Sequence, residues 1–382
     1  MLCHDDANST SEEEGGGAYS AILAQCHLFL LAMEDASSGA AARSARDLLH
    51  PDVDNAVRFM SRMCMNGFTV SDSEQFPIGH GVYRGRASYI NHSCRPNCVP
   101  TFWLRRHKQP MLRITACRTI DAGEEITIGY CDVSAPRRVR REILWKNYKF
   151  HCDCSLCEDG ERDDVVVGLK CTSPGCEGGG TVRCRVARSR DECDEIRREG
   201  GRDDEKAYRC DACGNADFHD ALEEQDDSMI QMKRLESAMN NGRGVDDRVG
   251  EEMRRIYERL KRCCQMRTSY YIAWSSDLCV CWYANALKFL SSEGEQLNVC
   301  RMALALLDES RRATRYCLDY PGSLSWHVKR GTEAKLRLFS NPMDVEALET
   351  LQQVRKVMLV YYPPSDDLIS SLDESLRAYS FS

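Results

Sequence analysis

The sequence predicts an α+β protein, with short strands and cysteine clusters in its first half and helices alone in its second. Three observations carry this reading. Over residues 66–131 short apolar stretches alternate with Gly, Pro, Asn and Asp, the pattern of strands joined by turns. From about Asp226 onward apolar residues recur at three- and four-residue steps, as on one face of a helix. Between these regions the cysteines come in close pairs and triplets.

Taken in chain order, residues 1–17 read as a disordered leader ending in Glu12-Glu13-Glu14-Gly15-Gly16-Gly17, and the glycines read as linker. The polar, acidic start lacks the basic n-region of a signal peptide. The apolar run from Ala18 to Met33 is too short to span a bilayer and carries Gln25 and His27, so it reads as a buried helix. Residues 18–65 are helical in pattern, with breaks around 36–42 and near Pro51. Strands are expected at Gly67–Val70, Gly81–Tyr83, Asn97–Trp103, Leu112–Thr115 and Ile126–Ile128. A basic helix follows from about Pro136 to Asn147, its Arg137, Arg138, Arg140 and Arg141 read as a solvated face. Residues 158–220 are rich in Gly, Asp and Cys, with a charged insert around 188–206. Near the end, Val345, Leu348, Leu351, Val354, Val357, Met358 and Tyr361 form one apolar helical stripe.

With 382 residues the chain is long enough for two or three domains, each with its own core. A formal net charge of −8 disfavours a protein that coats nucleic acid, and it suits a basic protein partner through long-range steering. The 22 cysteines, without a secretory route, are expected to be reduced and therefore available to metals. The expected compartment is cytoplasmic, nuclear or both, with no membrane association. Cys152, Cys154 and Cys157 supply three thiolates in a Cys-x-Cys-x-x-Cys run, and a closed tetrahedral Zn²⁺ site needs a fourth. Cys171-x4-Cys176 and Cys210-x2-Cys213 read as the two knuckles of a zinc ribbon, with the choice of ligands left open by Cys184 and Cys193. A zinc-ribbon nucleic-acid binder is disfavoured by the acidic balance, and Cys98, Cys117 and Cys131 read as buried small hydrophobes.

Three motifs stand in a fixed order: Asn91-His92-Ser93-Cys94, then Gly123-Glu124-Glu125-Ile126-Thr127-Ile128-Gly129-Tyr130, then Cys152-Asp153-Cys154-Ser155-Leu156-Cys157. Together they resemble the C-terminal half of a SET domain with its post-SET zinc site, the catalytic core of protein lysine methyltransferases. The flanks resemble the SET–MYND (SMYD) family in particular. Asn66-Gly67-Phe68-Thr69-Val70 is similar to its Asn-Ser-Phe-Thr-Ile segment, and Ile78-Gly79-His80-Gly81-Val82-Tyr83 to its Val-Gly-Val-Gly-Leu-Tyr. Tyr320-Pro321-Gly322-Ser323 resembles a Phe-Pro-Gly-Ser turn of its helical domain, and the segment from Pro364 to Leu372 its closing helix.

The resemblance implies an S-adenosylmethionine-dependent methyltransferase acting on a protein lysine, histone or non-histone. It makes Tyr130 the catalytic phenol and places Asn66, Asn91, the His92 backbone and Phe150 on the cofactor. Phe68 and Tyr148 would wall the lysine channel. It also gives Cys94 as the fourth ligand beside Cys152, Cys154 and Cys157. The domain order it implies is a leader over 1–17, SET over 18–150 and the post-SET segment over 151–158. A ribbon-like segment over 165–220 and a tetratricopeptide-like helical domain over 225–382 follow, the latter a groove for a peptide partner or plain packing. The family's Gly-x-Gly strand pair, which wraps the methionine end of the cofactor, and its MYND zinc module have no counterpart recognised in these residues. Weak cofactor binding is the corresponding expectation, and the alternative reading is a catalytically inactive, zinc-stabilised interaction protein.

Overall fold

The protein was described from a computed structural model, which places residues 65–83, 85–104, 109–171, 173, 174, 176, 182–184, 208–240 and 247–379. The expected leader, the helices expected over 18–65 apart from their last residue, and the charged insert lie outside these residues.

Among the described residues up to 131 the chain forms two hairpins and one parallel strand pair. Strands β1 (Gly67–Ser71) and β2 (Pro77–Val82) pair antiparallel, with Phe68 opposite Gly81. Their turn is closed by the Phe76 N–H on the Asp72 carboxylate at 2.9 Å. The two-residue β3 (Asn91–His92) follows a 3₁₀ turn over Arg86–Tyr89. Strands β4 (Cys98–Trp103) and β5 (Met111–Ala116) form the second antiparallel hairpin. The short β6 (Thr127–Ile128) then returns to lie parallel to β3, with Asn91 beside Thr127 and His92 beside Ile128. Between β5 and β6 the chain turns at Gly123, whose φ of +87° is in the left-handed region that favours glycine.

Helix α1 (Arg137–Tyr148) ends on Lys149 in the left-handed conformation, and this redirects the chain toward the cysteine run. The single-turn α2 (Ser155–Glu158) and α3 (Gly160–Val167) follow. The segment after them is a small hairpin of β7 (Val182–Cys184) and β8 (Tyr208–Cys210), Val182 opposite Cys210. The arginine run departs from the expected solvated face. Arg138 is exposed and pairs with Asp226, but Arg140 is only 3 % exposed and points inward, while Arg137 pairs with Asp163. The pattern misled because an arginine is buried when charge partners await it, and those partners lie in later segments.

Helices α4 (His219–Asn240), α5 (Asp247–Cys263), α6 (Tyr270–Ala286), α7 (Glu293–Leu318), α8 (Leu324–Ser340), α9 (Val345–Tyr361) and α10 (Asp367–Tyr379) complete the described chain. Side-chain caps mark two starts: Ser323 accepts from Trp326 N at 3.3 Å, and Asp344 from Ala347 N at 3.0 Å. Helix α6 is buried almost all round, from Tyr270 to Ala286, and forms the centre of the larger core. That core draws in Ala135, Val139 and Val166 from the first half. The expected stripe on α9 packs through Leu351, Val354, Met358 and Tyr361, whereas Val345 at its start is exposed. Each of those side chains contributes about 1.5–3 kcal/mol by leaving water.

The halves are joined by specific contacts. The Trp103 indole N–H donates to the Tyr361 carbonyl at 2.8 Å, and the Gln75 amide to the Tyr362 hydroxyl at 2.9 Å. Gly322, in the Tyr320–Ser323 turn, has φ +81°, and a Cβ there would lie 2.6 Å from Val99 Cγ2 and 2.8 Å from Cys117 Cβ. Only glycine lets this turn sit on the β4–β5 hairpin. Of the three cysteines read as hydrophobes, Cys98 is buried while Cys117 and Cys131 are half-buried. No helix among the described residues is long and apolar enough to cross a membrane.

Candidate active site

The parallel pairing of β3 with β6 brings the first two motifs together. Ser93 N–H donates to the Ile128 carbonyl at 3.0 Å. The buried Asn97 side chain fixes the register: its oxygen accepts from Thr127 N at 2.9 Å, and its amide donates to the Glu125 carbonyl at 2.8 Å and to Glu124 at 3.0 Å. Glu124 also pairs with Arg118 at 2.5 Å, and that partner, then Asn97, holds its carboxyl down to about 2. The Asn91 amide donates to Glu125 at 2.6 Å.

Tyr130 leaves β6 beside His92. Its main-chain N–H donates to His92 Nδ1 at 3.0 Å, and its hydroxyl donates to the Ile90 carbonyl at 2.5 Å. Because Nδ1 accepts, the proton of a neutral His92 ring sits on Nε2, 3.2 Å from Cys94 Sγ. Burial, reinforced by Arg140, holds His92 down to about 4, so the ring is neutral. Burial likewise pushes the Tyr130 phenol up to about 12, helped by Tyr148 and Glu125. Aromatic rings close around it, with Tyr148 at 4.7 Å, His92 at 5.3 Å and Phe150 at 6.5 Å between centroids.

The structure thus gathers Asn91, His92, Tyr130, Tyr148 and Phe150. It puts Phe68 elsewhere: on β1 its ring packs edge-on against Tyr83 at 5.8 Å, and Tyr83 in turn packs on Phe102. Asn66 is half-buried at the entry to β1.

Behind the aromatic cluster the Sγ atoms of Cys94, Cys152, Cys154 and Cys157 lie within 4.8 Å of one another, and Cys94 to Cys157 is 3.6 Å. Four thiolates about 2.3 Å from one Zn²⁺ form a tetrahedron with edges of about 3.8 Å, so the sulfurs already stand at ligand spacing. Arg140 faces this cluster. Its guanidinium reaches the Cys157 sulfur at 3.6 Å and also the Ala135 carbonyl. The Cys157 thiol is held down to about 6, first by Cys152 and further by Cys94 and Arg140, which favours the thiolate that a metal takes. Four thiolates on Zn²⁺ carry a net charge of −2, and Arg140 offsets part of it.

The second cysteine set also converges. Cys171, Cys176, Cys210 and Cys213 offer sulfurs within 4.8 Å of one another, with Cys171 to Cys213 at 3.6 Å and Cys176 to Cys210 at 3.7 Å. Gly214, at φ +72°, turns the second knuckle, and its N–H returns to the Cys210 carbonyl at 2.9 Å. Cys193 lies outside the described residues. Both sets are able to hold zinc.

Sequence reasoning missed Asn97, Arg140 and Asp132. Asp132 accepts from the Ser134 N–H at 2.9 Å and from the Tyr270 hydroxyl at 3.1 Å, which ties the segment after Tyr130 to α6. Asn97 lies just past a motif and was open to notice; the partners of the other two lie far away in sequence.

A short parallel pair with an asparagine–histidine strand, a tyrosine in an aromatic cluster and a four-cysteine brace behind them define the C-terminal part of a SET domain. The family model for the SET domain matches residues 2–131, so the similarity extends upstream of the described residues. The chain is 38% identical over 121 residues to histone-lysine N-methyltransferase SMYD3 of Mus musculus, covering 31% of this chain and 27% of that protein. It is 32% identical over 162 residues to histone-lysine N-methyltransferase SMYD3 of Homo sapiens, covering 42% and 34%. Against N-lysine methyltransferase SMYD2 of Bos taurus it is 30% identical over 156 residues, covering 40% and 34%. The matches therefore span about a third or less of each relative's length. Residues 2–131 match the SET domain model, and over part of its length the chain is similar to SET–MYND (SMYD) lysine methyltransferases.

Proposed function

We propose that this chain is an S-adenosylmethionine-dependent protein-lysine N-methyltransferase of SET–MYND type. The observation that carries the reading is the gathering of Asn91, His92, Tyr130, Tyr148 and Phe150 in front of the Cys94/Cys152/Cys154/Cys157 brace.

The residues present fit the adenosyl part of such a cofactor. Ser93 N–H bonds to β6, and strand alternation turns the His92 N–H and C=O to the opposite edge, which no strand pairs among the described residues. Asn91 is exposed beside that edge, and the Phe150 ring lies 5.9 Å from His92. Asn91, the His92 backbone and Phe150 would hold the cofactor, with Asn66 as a further contact. When bound, that group supplies an electrophilic methyl carbon.

The chain's own part is alignment and desolvation. A phenol raised to about 12 does not act as a base at neutral pH. With its proton directed to the Ile90 carbonyl, the Tyr130 oxygen presents its lone pairs and orients the incoming amine. Tyr148 and Phe150 exclude water, which favours the neutral amine over the ammonium. Phe68, which packs on Tyr83 outside this cluster, is a channel-wall residue on the family resemblance alone. Zinc at Cys94, Cys152, Cys154 and Cys157 would fix Phe150, which lies two residues before the first post-SET ligand. A second zinc at Cys171, Cys176, Cys210 and Cys213 would hold the β7–β8 hairpin together.

Calorimetric titration of S-adenosylmethionine into the zinc-loaded chain tests the cofactor half. Phe150→Ala is expected to weaken binding by about 10- to 100-fold, the worth of one stacked base, about 1–3 kcal/mol. Equal affinity in the variant would remove Phe150 from the site.

A further inference from the structure

One residue past Tyr130 the chain enters the wall of an open cavity of about 930 Å³ between the first half and the helices. Cys131, Asp132 and Tyr320 line the end beside Tyr130, and α6 with the turn that follows it runs along the length from Tyr270 to Lys288. At 1.5 Å per residue the helix spans about 24 Å, and Lys288 in the turn beyond lies at roughly 25 Å from Tyr270.

Lysines and carboxylates both line this cavity. Of its three lysines, Lys329 is 5 % exposed and already paired, with Asp277 at 3.2 Å and the Thr314 hydroxyl at 3.3 Å. The other two have no carboxylate within ion-pair distance among the described residues. Lys335 donates to the Ser371 hydroxyl at 2.9 Å and Lys288 to the Asn285 side chain at 3.1 Å. Ser375 and Tyr379 add hydroxyls to the same wall. Glu74, Glu236, Asp277 and Asp132 also line the cavity. Burial holds the Lys335 ammonium below its ordinary range and Lys288 adds to that, while Glu74 and Glu374 pull the other way from beyond contact. An anion seated between the two lysines would relieve that cost.

We propose that this cavity seats an extended stretch of the protein substrate, and that Lys335 and Lys288 select an acidic side chain in it. At about 3.3 Å per extended residue, roughly 25 Å places that acidic residue about eight positions from the target lysine. The placement of the target lysine rests on the methyltransferase reading; the selection of an acidic residue is a property of binding alone.

The test is binding of fluorescent single-lysine peptides to the full zinc-loaded chain, with one Glu moved along an uncharged background on either side of the lysine. A Glu about six to ten positions out is expected to tighten binding about tenfold. Lys335→Gln with Lys288→Gln should abolish that gain, and Lys288→Glu, at an exposed position that tolerates exchange, should transfer the preference to Arg. A flat Glu scan, or a preference that survives the double exchange, would overturn the proposal. Displacement of the peptide by millimolar phosphate or free glutamate regardless of Glu position would overturn it too, in favour of a small-anion site. Because turnover is not read, an intact Glu preference without methylation would sink the enzymatic reading alone. A flat scan with normal methylation would sink only this one.

Discussion

The main-chain N–H of Tyr130 donates to His92 Nδ1 at 3.0 Å, and the opposite nitrogen of the same ring lies 3.2 Å from Cys94 Sγ. One imidazole therefore connects the tyrosine proposed for the transfer step to the sulfur cluster behind it. A change in metal occupancy is felt at Tyr130 through one side chain. His92→Ala should retain zinc at the second set yet loosen the tyrosine loop, seen as faster amide exchange at Tyr130. Unchanged exchange there would mean that the loop is held by Asn97 and Asp132 alone.

The two cysteine sets predict about two zinc ions per chain purified without chelator. Cys154→Ser and Cys213→Ser should each lower the content by about one. Elemental analysis finding none in folded protein would overturn both assignments.

Arg140 is buried against the Cys157 sulfur, so its removal strips a counter-charge from an interior anionic cluster. Arg140→Leu should destabilise the protein by about 3–5 kcal/mol, read as a lower denaturation midpoint. A loss under about 1 kcal/mol would mean that the cluster is neutral as folded.

Gly322→Ala places a methyl group 2.6 Å from Val99 Cγ2 on a backbone with positive φ. A loss of about 1–3 kcal/mol is expected, because strain and clash act together. A wild-type midpoint would show that the turn lifts freely from the β4–β5 hairpin.

Glu124 carries the pH prediction. Its folded carboxyl is held down to about 2 by Arg118 and Asn97, from an ordinary value near 4.5. Its contribution is therefore fully present above about 4.5 and is lost as pH falls through about 2. The difference in unfolding midpoint between wild type and Glu124→Gln should stay constant from pH 8 to 5 and close below that. A difference that varies between pH 8 and 5 would contradict the assignment.

Local signals were legible in the sequence. The strands at 67–71, 98–103 and 111–116, the basic helix and the α9 stripe all follow from short-range pattern, because two- and 3.6-residue periods reflect which face is buried. Cys152, Cys154 and Cys157, and the pairs Cys171/Cys176 and Cys210/Cys213, were legible from thiolate spacing, whereas Cys94 entered only through the family resemblance. What stayed hidden depends on partners distant in sequence. Arg140 reads as one of four surface arginines until Cys157 folds beneath it, and Asp132 is marked only by Tyr270, 138 positions later. Phe68 sits in a family-like segment, but its ring contact is set by Tyr83 across the hairpin.

The central claim is lysine methylation at Tyr130, and transfer of a labelled methyl group from S-adenosylmethionine to a lysine peptide tests it most directly. The zinc-loaded chain should label the peptide, and Tyr130→Phe should reduce the rate at least about 100-fold, about 2.7 kcal/mol in the barrier, with cofactor affinity unchanged. Full zinc and bound cofactor without any transfer, or equal rates in the variant, would contradict the account and leave a zinc-braced interaction protein.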